Sequence, residues 1–332
     1  MRINLKTAEI ELLAQSITSG DRKAIANGIT LVESTKKEDQ ALSEQLLNQL
    51  KTSTNDSIRI GISGPPGVGK STFIEALGHP VLEAGERLAI LAIDPSSSIS
   101  GGSILGDKTR MESLSRSENT FIRPSPSGGN LGGVNRSTRE SISVLEAAGY
   151  SVILVETVGV GQAETEVFDM TDIFLVLLSP GGGDELQGIK RGIIELADIL
   201  IVNKSDGNLL ATSKSTVLDY KNALKLLTPR IKEWAIPILS CSALHKEGIN
   251  EAWEKILELK NHLMNTGQLK DNRQKQNEIF LKNKKKNLIL SAIESDETLI
   301  DKLSEIKKTQ WQEIQESNFM SSVIKKIKEK MK

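Results

Sequence analysis

Apolar positions along the chain fall into three patterns, and each predicts a different kind of structure. Over residues 1–57 they recur at helical spacing: Ile10, Leu12, Leu13 and Ile17, then Ile25, Ile29 and Val32, then Leu42, Leu46, Leu47 and Leu50. Intervals of three and four gather such residues on one side of a helix, so this stretch reads as helices joined by a polar connection. From residue 58 the pattern changes to short unbroken runs rich in Ile, Val and Leu, at 58–62, 88–93, 152–155, 173–178, 199–202 and 236–239. Runs that short, apolar at consecutive positions, suit strands buried on both faces of a parallel sheet. Helix-like segments separate them at 71–84, 135–148, 185–197, 214–227 and 249–264. Strand and helix in alternation predict a doubly wound, mostly parallel α/β sheet. Beyond 264 no strand signal remains. Ile289, Ile293, Leu299, Leu303 and Ile306 keep helical spacing, and Trp311, Ile314, Ile324, Ile327 and Met331 keep it more loosely. The pattern therefore divides the chain into a helical N-terminal extension (1–57), an α/β domain (58–264) and a helical C-terminal arm (265–332). That arm is too small for a strong core of its own. It is expected to pack on the α/β domain or on a second copy.

Composition narrows the class. Hydrophobic residues make up 38% and charged residues 26% of the 332, which fits a soluble globular protein. Lys and Arg number 42 against 43 Asp and Glu, a net charge of -1, so nothing in the balance points to nucleic acid or to a membrane surface. The most apolar run, 173–178, falls far short of the roughly 20 residues a membrane helix needs. Cys241 is the only cysteine, so no intrachain disulfide forms, and the N-terminus lacks an apolar signal core. Both features point to a reducing compartment, and the expected location is cytoplasmic. The basic run at 282–286 reads as a solvated helix face.

The chemistry begins at GPPGVGKST, residues 64–72, between a predicted strand and a predicted helix. Gly64, Pro65, Pro66, Gly67, Val68, Gly69, Lys70 and Ser71 match G-x-x-x-x-G-K-[ST] in full. Glycines let such a loop turn its N–H groups onto phosphate oxygens, and the following helix presents its positive end to the same anion. Lys70 would reach the β- and γ-phosphates, and the Ser71 hydroxyl would ligate Mg²⁺. The run at 199–202 leads into Asn203, Lys204, Ser205 and Asp206. A carboxylate at Asp206 accepts from guanine N1–H and N2–H₂, a donor pair that adenine lacks. The Asn203 amide suits guanine O6/N7, and the Lys204 stem can lie along the ring. The stretch SCSAL at 240–244 ends the next run and resembles the base loop of GTP-binding proteins, which implicates Ser242, Ala243 and Leu244. The nucleotide pair expected is GTP/GDP.

Several carboxylates could serve the metal and the attacking water. Glu156 opens ETVG at a strand end, where small GTPases place D-x-x-G. Gly159 would meet the γ-phosphate, Val160 stands where a catalytic glutamine is usual, and Gln162 cannot be assumed to replace it. Asp94 ends the run at 88–93, which we expect to lie beside the strand that feeds the phosphate loop. It reads either as a metal or water ligand or as a turn starter before Pro95. Asp107 lies in a Gly- and Ser-rich loop, either as a switch carboxylate or as a helix cap. Lys190 and Arg191 follow the glycine-rich stretch at 179–189, either as donors to the γ-phosphate or as a solvated helix start. The general base stays open among Glu156, an aspartate and backbone. His79, His245 and His262 are scattered with no Cys/His cluster, and Cys241 reads as an apolar filler rather than a nucleophile.

These stretches together carry a resemblance. GPPGVGKST, DPSSSISGGSILGDKTRM (94–111), RPSPSGGNLGGV (123–134), ETVGVGQAE (156–164), PGGGDELQGIKRGI (180–193), NKSDG and SCSAL closely resemble the methylmalonyl-CoA mutase-associated GTPases, once named arginine/ornithine transport kinases. The resemblance covers about residues 58–260 motif by motif and the helical ends more loosely. It implies a P-loop GTPase fold with a C-terminal dimerisation arm, hence a homodimer. It also implies a G-protein chaperone for an adenosylcobalamin-dependent acyl-CoA mutase, most often methylmalonyl-CoA mutase, which gates cofactor loading and protects the enzyme. By motif it assigns Lys70, Ser71 and Thr72 to phosphate and Mg²⁺, and Asp94, Asp107 and Glu156 to the metal and water side. Asn203, Asp206, Ser242, Ala243 and Leu244 fall to guanine, and Lys190 to an extra switch. Other readings are a metallochaperone GTPase for nickel centres, a kinase or transport ATPase, and a scaffold that binds nucleotide without hydrolysis. The chain lacks the His-rich or Cys motifs of the first, and Asp206 speaks against ATP.

Overall fold

The computed structural model describes residues 7–50, 57–94, 111–126, 133–157, 163–181, 191–225 and 228–294. Asp107, Gly159, Val160, Gln162 and Lys190 lie outside these residues. Seven strands form one sheet: β1 (Ile58–Ser63), β2 (Leu88–Asp94), β3 (Thr120–Pro126), β4 (Val152–Thr157), β5 (Ile173–Leu178), β6 (Ile199–Val202) and β7 (Ile238–Ser240). Every pairing is parallel and the order is β3-β2-β4-β1-β5-β6-β7. The α/β reading of the apolar runs is thus met.

Among the details that differ from the sequence reading, three concern the sheet. β3 has no counterpart among the predicted runs. Its interior holds Pro124 and it ends at Pro126; proline cannot donate to the ladder and is confined to sheet edges, which is where β3 lies. β7 starts two residues later than its apolar run, because Pro237 interrupts that run and offers only its carbonyl, to Leu200 N at 3.0 Å. The third is a correction of position. β2 does not lie beside β1, since β4 stands between them. Asp94 therefore ends a strand two places from the phosphate-loop strand, roughly 10 Å across the sheet at ordinary strand spacing.

Helices cover both faces. Ile58, Ile60, Ile62, Leu154, Leu175, Leu177 and Ile201 point to one side, into a cluster with Phe73, Ile74 and Leu77 of α4 (Lys70–Glu83), Leu114 of α5 (Glu112–Arg116) and Trp253 and Ile256 of α10 (Ile249–Asn265). The alternate residues Leu91, Ile153, Val155, Phe174, Val176 and Leu200 point to the other side. There they meet α6 (Gly133–Ala147), α7 (Ala163–Phe168), α8 (Arg191–Leu196) and α9 (Leu210–Leu224). The helices α1 (Thr7–Thr18), α2 (Arg22–Val32) and α3 (Lys37–Leu50) join this second cluster through Ile10, Ile17, Ile25, Ile29 and Leu46, all fully buried. This two-sided burial is why the strands read as unbroken apolar runs.

Acidic side chains stand at the strand beginnings, at the opposite edge from the phosphate loop. Asp172 accepts from Arg59 N at 2.8 Å and is gripped at both oxygens by Arg273, at 2.8 and 2.7 Å. Arg273 also donates to Ser57 O at 2.7 Å. Arg59 pairs with Glu146 of α6 at 2.8 Å. Residues 1–273 form one compact unit and 274–332 a second; α11 (Gln268–Glu294) begins in the first and supplies the described part of the second. No helix among the described residues is long and apolar enough to cross a membrane.

Candidate functional site

β1 ends at Ser63 and α4 begins at Lys70, so the residues between are a loop at the carboxyl edge of the sheet, where open α/β folds bind ligands. Gly64 adopts φ +154, and a Cβ there would stand 2.6 Å from the Leu177 carbonyl oxygen. Gly69 adopts φ +94, and a Cβ there would press on Asn203 Nδ2 at 2.8 Å. Neither position tolerates a side chain, because the loop is folded tightly against β5 and against the Asn203 loop. Lys70, 8% exposed, curls back over the loop and donates to Gly64 O at 2.8 Å and Pro65 O at 3.3 Å. Burial lowers its pKa, while the carboxylates of Glu156 and Glu164 oppose that shift.

Beside Lys70, Ser71 donates to Glu156 Oε1 at 3.2 Å. Glu156 is 4% exposed and comes from β4, the strand next to β1. A hydroxyl and a carboxylate held together are hard oxygen donors of the kind magnesium takes, so the residues present fit that ion. Thr72 is exposed one residue further along α4. Asp94 closes β2, two strands from the loop strand.

On the other side of β1, past β5, the end of β6 delivers Asn203, Lys204 and Asp206. Asn203 is buried, donates Nδ2 to Val68 O at 2.9 Å and accepts at Oδ1 from Ala243 N at 3.1 Å. Lys204 takes a left-handed backbone, φ 58, and its ammonium reaches Gly67 O at 2.7 Å. The amide of Asn203 thus fastens the phosphate loop to the segment after β7. Asp206 accepts from the Ser242 hydroxyl, and that hydroxyl in turn accepts from His245 N at 3.2 Å. Leu244 is 73% exposed beside this corner. Cys241 is buried and donates to Asn203 Oδ1 at 3.5 Å; burial and then the Asp206 charge push its thiol up to about 12, which suits packing and not nucleophilic chemistry. The structure thus gathers Lys70, Ser71 and Glu156 in one group and Asn203, Lys204, Asp206, Ser242 and Ala243 in another, with the two joined through the loop carbonyls.

Sequence reasoning missed three buried polar residues under the loop: Ser63, Thr157 and Glu164, which are 0%, 0% and 2% exposed. Their signal was present as polar residues at two strand ends, and as the acid that closes ETVGVGQAE.

A parallel sheet with a G-x-x-x-x-G-K-S loop after its central strand and an N-K-x-D loop two strands away defines a P-loop GTPase. The chain belongs to the family described as Methylmalonyl Co-A mutase-associated GTPase MeaB, which matches residues 25–298. Among its relatives, GTPase ArgK of Escherichia coli is 46% identical over 288 residues, 86% of this chain and 87% of that one. The mouse protein named methylmalonic aciduria type A homolog, mitochondrial, is 46% identical over 284 residues, 82% of this chain and 68% of that one. A crystal structure titled LAO/AO transport system kinase superimposes with a TM-score of 0.75 at 34% identity, covering 92% of this chain and all of that one.

Proposed function

We propose that this GTPase is a G-protein chaperone for an adenosylcobalamin-dependent acyl-CoA mutase, most simply methylmalonyl-CoA mutase, and that GTP hydrolysis drives cofactor loading and protection of that enzyme. The observation that carries the reading is membership of a family whose description names the mutase.

At the site, backbone N–H groups of the loop and Lys70 would cradle the phosphates. Asp206 would accept from guanine N1–H and N2–H₂, with the Lys204 stem along one face of the ring and the segment of Ser242, Ala243 and Leu244 at its edge. Ser71 and Glu156 would hold magnesium, with Asp94 and Asp107 on the metal and water side. When bound, that ion neutralises charge on the phosphate oxygens. Catalysis in such a site is mainly positioning and charge stabilisation. Lys190, in the glycine-rich segment after β5, would complete the charge around the γ-phosphate when the mutase is engaged. The arm at 265–332 is read as a dimerisation element, the division at 57 and 264 as functional, and the place of action as the cytoplasm.

The test is GTP turnover by the pure protein, with and without the mutase from the same source. A large rise on adding mutase is expected; a slow rate that the mutase leaves unchanged refutes the partner. Lys190→Ala should keep GTP affinity and lose the stimulation, and full stimulation of that variant excludes the lysine.

A further inference from the structure

The three buried polar residues that the sequence did not single out are bonded in a row. Thr157, the last residue of β4, shares its one hydroxyl proton between Ser63 Oγ at 3.2 Å and Ile62 O at 3.4 Å. Ser63, the last residue of β1, donates its own hydroxyl to Glu164 Oε1 at 3.3 Å. A serine hydroxyl has one proton to give and lone pairs to receive, so Ser63 can hold both partners at once. Thr157 and Glu164 are the two ends of one stretch of chain, the exit from β4 and the first turn of α7. Ser63 immediately precedes Gly64, whose carbonyl receives the Lys70 ammonium. Glu156, which Ser71 contacts, immediately precedes Thr157.

We infer that Thr157, Ser63 and Glu164 form a hydroxyl staple that ties both ends of the chain between β4 and α7 to the root of the phosphate loop, and that this staple sets the preference for GTP over GDP. All three are positioning residues, acting through Glu156 and Lys70. Groups of this polarity at full burial are retained only when bonded, and loss of one bond leaves its partner without water to replace it. The link to the third phosphate is chemical. Glu156 belongs to the metal side and Lys70 to the β- and γ-phosphates. GDP keeps the β-phosphate and lacks the γ-phosphate, so a tilt of either end of the stretch disturbs more of what holds GTP than of what holds GDP. Base contacts are common to both nucleotides and do not pass through the staple.

The inference rests on the nucleotide reading above, and the experiment separates the two. Affinities for GDP and for a non-hydrolysable GTP analogue are measured by calorimetry with Mg²⁺ for wild type, Thr157→Val, Thr157→Ser, Ser63→Ala and Lys70→Ala. Valine keeps the shape of threonine without its hydroxyl, so Thr157→Val tests the bond even if Ser63→Ala fails to fold. Thr157→Val is expected to weaken the GTP analogue by about fivefold to tenfold, the scale of one hydrogen bond, and GDP by less than about twofold. Thr157→Ser should restore the ratio, and Ser63→Ala combined with Thr157→Val should do no more than Ser63→Ala alone. An unchanged ratio in Thr157→Val, or equal losses for both nucleotides, overturns the staple. Unaltered affinity in Lys70→Ala would instead overturn the nucleotide reading beneath it.

Discussion

In the proposed reading, base specificity rests on single atoms of Asp206. Its carboxylate already accepts from the Ser242 hydroxyl, and Ser242 is fixed from behind by His245 N and by a backbone pairing with Glu247. The acceptor is therefore aimed before a base arrives. Asp206→Asn turns one acceptor into a donor while keeping size. GTP should lose roughly 1–3 kcal/mol, the cost of an unmatched polar pair, and XTP, which carries oxygen where guanine carries the amino group, should gain. Competition between the two nucleotides reads the outcome, and an unchanged ratio would remove Asp206 from base selection. Most of this corner was legible in the sequence, because NKSD and SCSAL put their chemistry in consecutive residues. The staple was not. Ser63 and Thr157 are ordinary polar residues at strand ends, and only the register of β1 with β4 brings them together.

At the scale of elements, β1 owes its place to a missing side chain. Gly61 sits in mid-strand with Phe174, Thr171 and Val167 crowding its α-carbon, so a Cβ there would lie 2.7, 2.9 and 3.0 Å from their side chains. Phe174 is 1% exposed and cannot swing into solvent. Gly61→Ala should destabilise the protein by about 1–3 kcal/mol through overpacking. Urea unfolding followed by circular dichroism would show it, and a wild-type midpoint would mean that β5 and α7 yield. Elements were read well from the sequence where burial was symmetrical, as in β1, β4, β5 and β6. β3 was missed because its prolines break the apolar run, and the same prolines suit it to the edge. The order of strands was not readable, since nothing in the local pattern of 88–94 or 152–157 says which lies nearer β1.

Over the whole first unit, charged residues at the strand beginnings tie distant parts of the chain together. Ser57 and Arg59 at the start of β1, Glu146 of α6 and Arg273 lie far apart in sequence and adjacent in space. Burial works to raise the Glu146 carboxyl, yet hydrogen bonding and charge from Arg59, the Ser57 hydroxyl and the Arg273 charge together hold it below its ordinary 4.5. A carboxyl depressed on folding adds stability that is fully present above the unfolded value and fades as pH falls through the folded one. Glu146→Gln should therefore be less stable than wild type at neutral pH, and the gap should close in acid below about pH 4. Melting curves across that range decide it; a constant gap would show that packing, not charge, is what the glutamate supplies.

The bonds that join the base corner to the phosphate loop have a thermodynamic consequence. Asn203 and Lys204 each grip a carbonyl of the loop, Val68 and Gly67, so the spacing between that corner and the phosphate loop is set by the protein alone. A binding surface assembled beforehand has little left to freeze on association, where each newly ordered side chain would otherwise cost about 0.5–1.5 kcal/mol. Such a site behaves as a ruler. It rewards a ligand of one length, and it should show a small entropic penalty on capture with little change in the dynamics of this corner between the free and loaded protein.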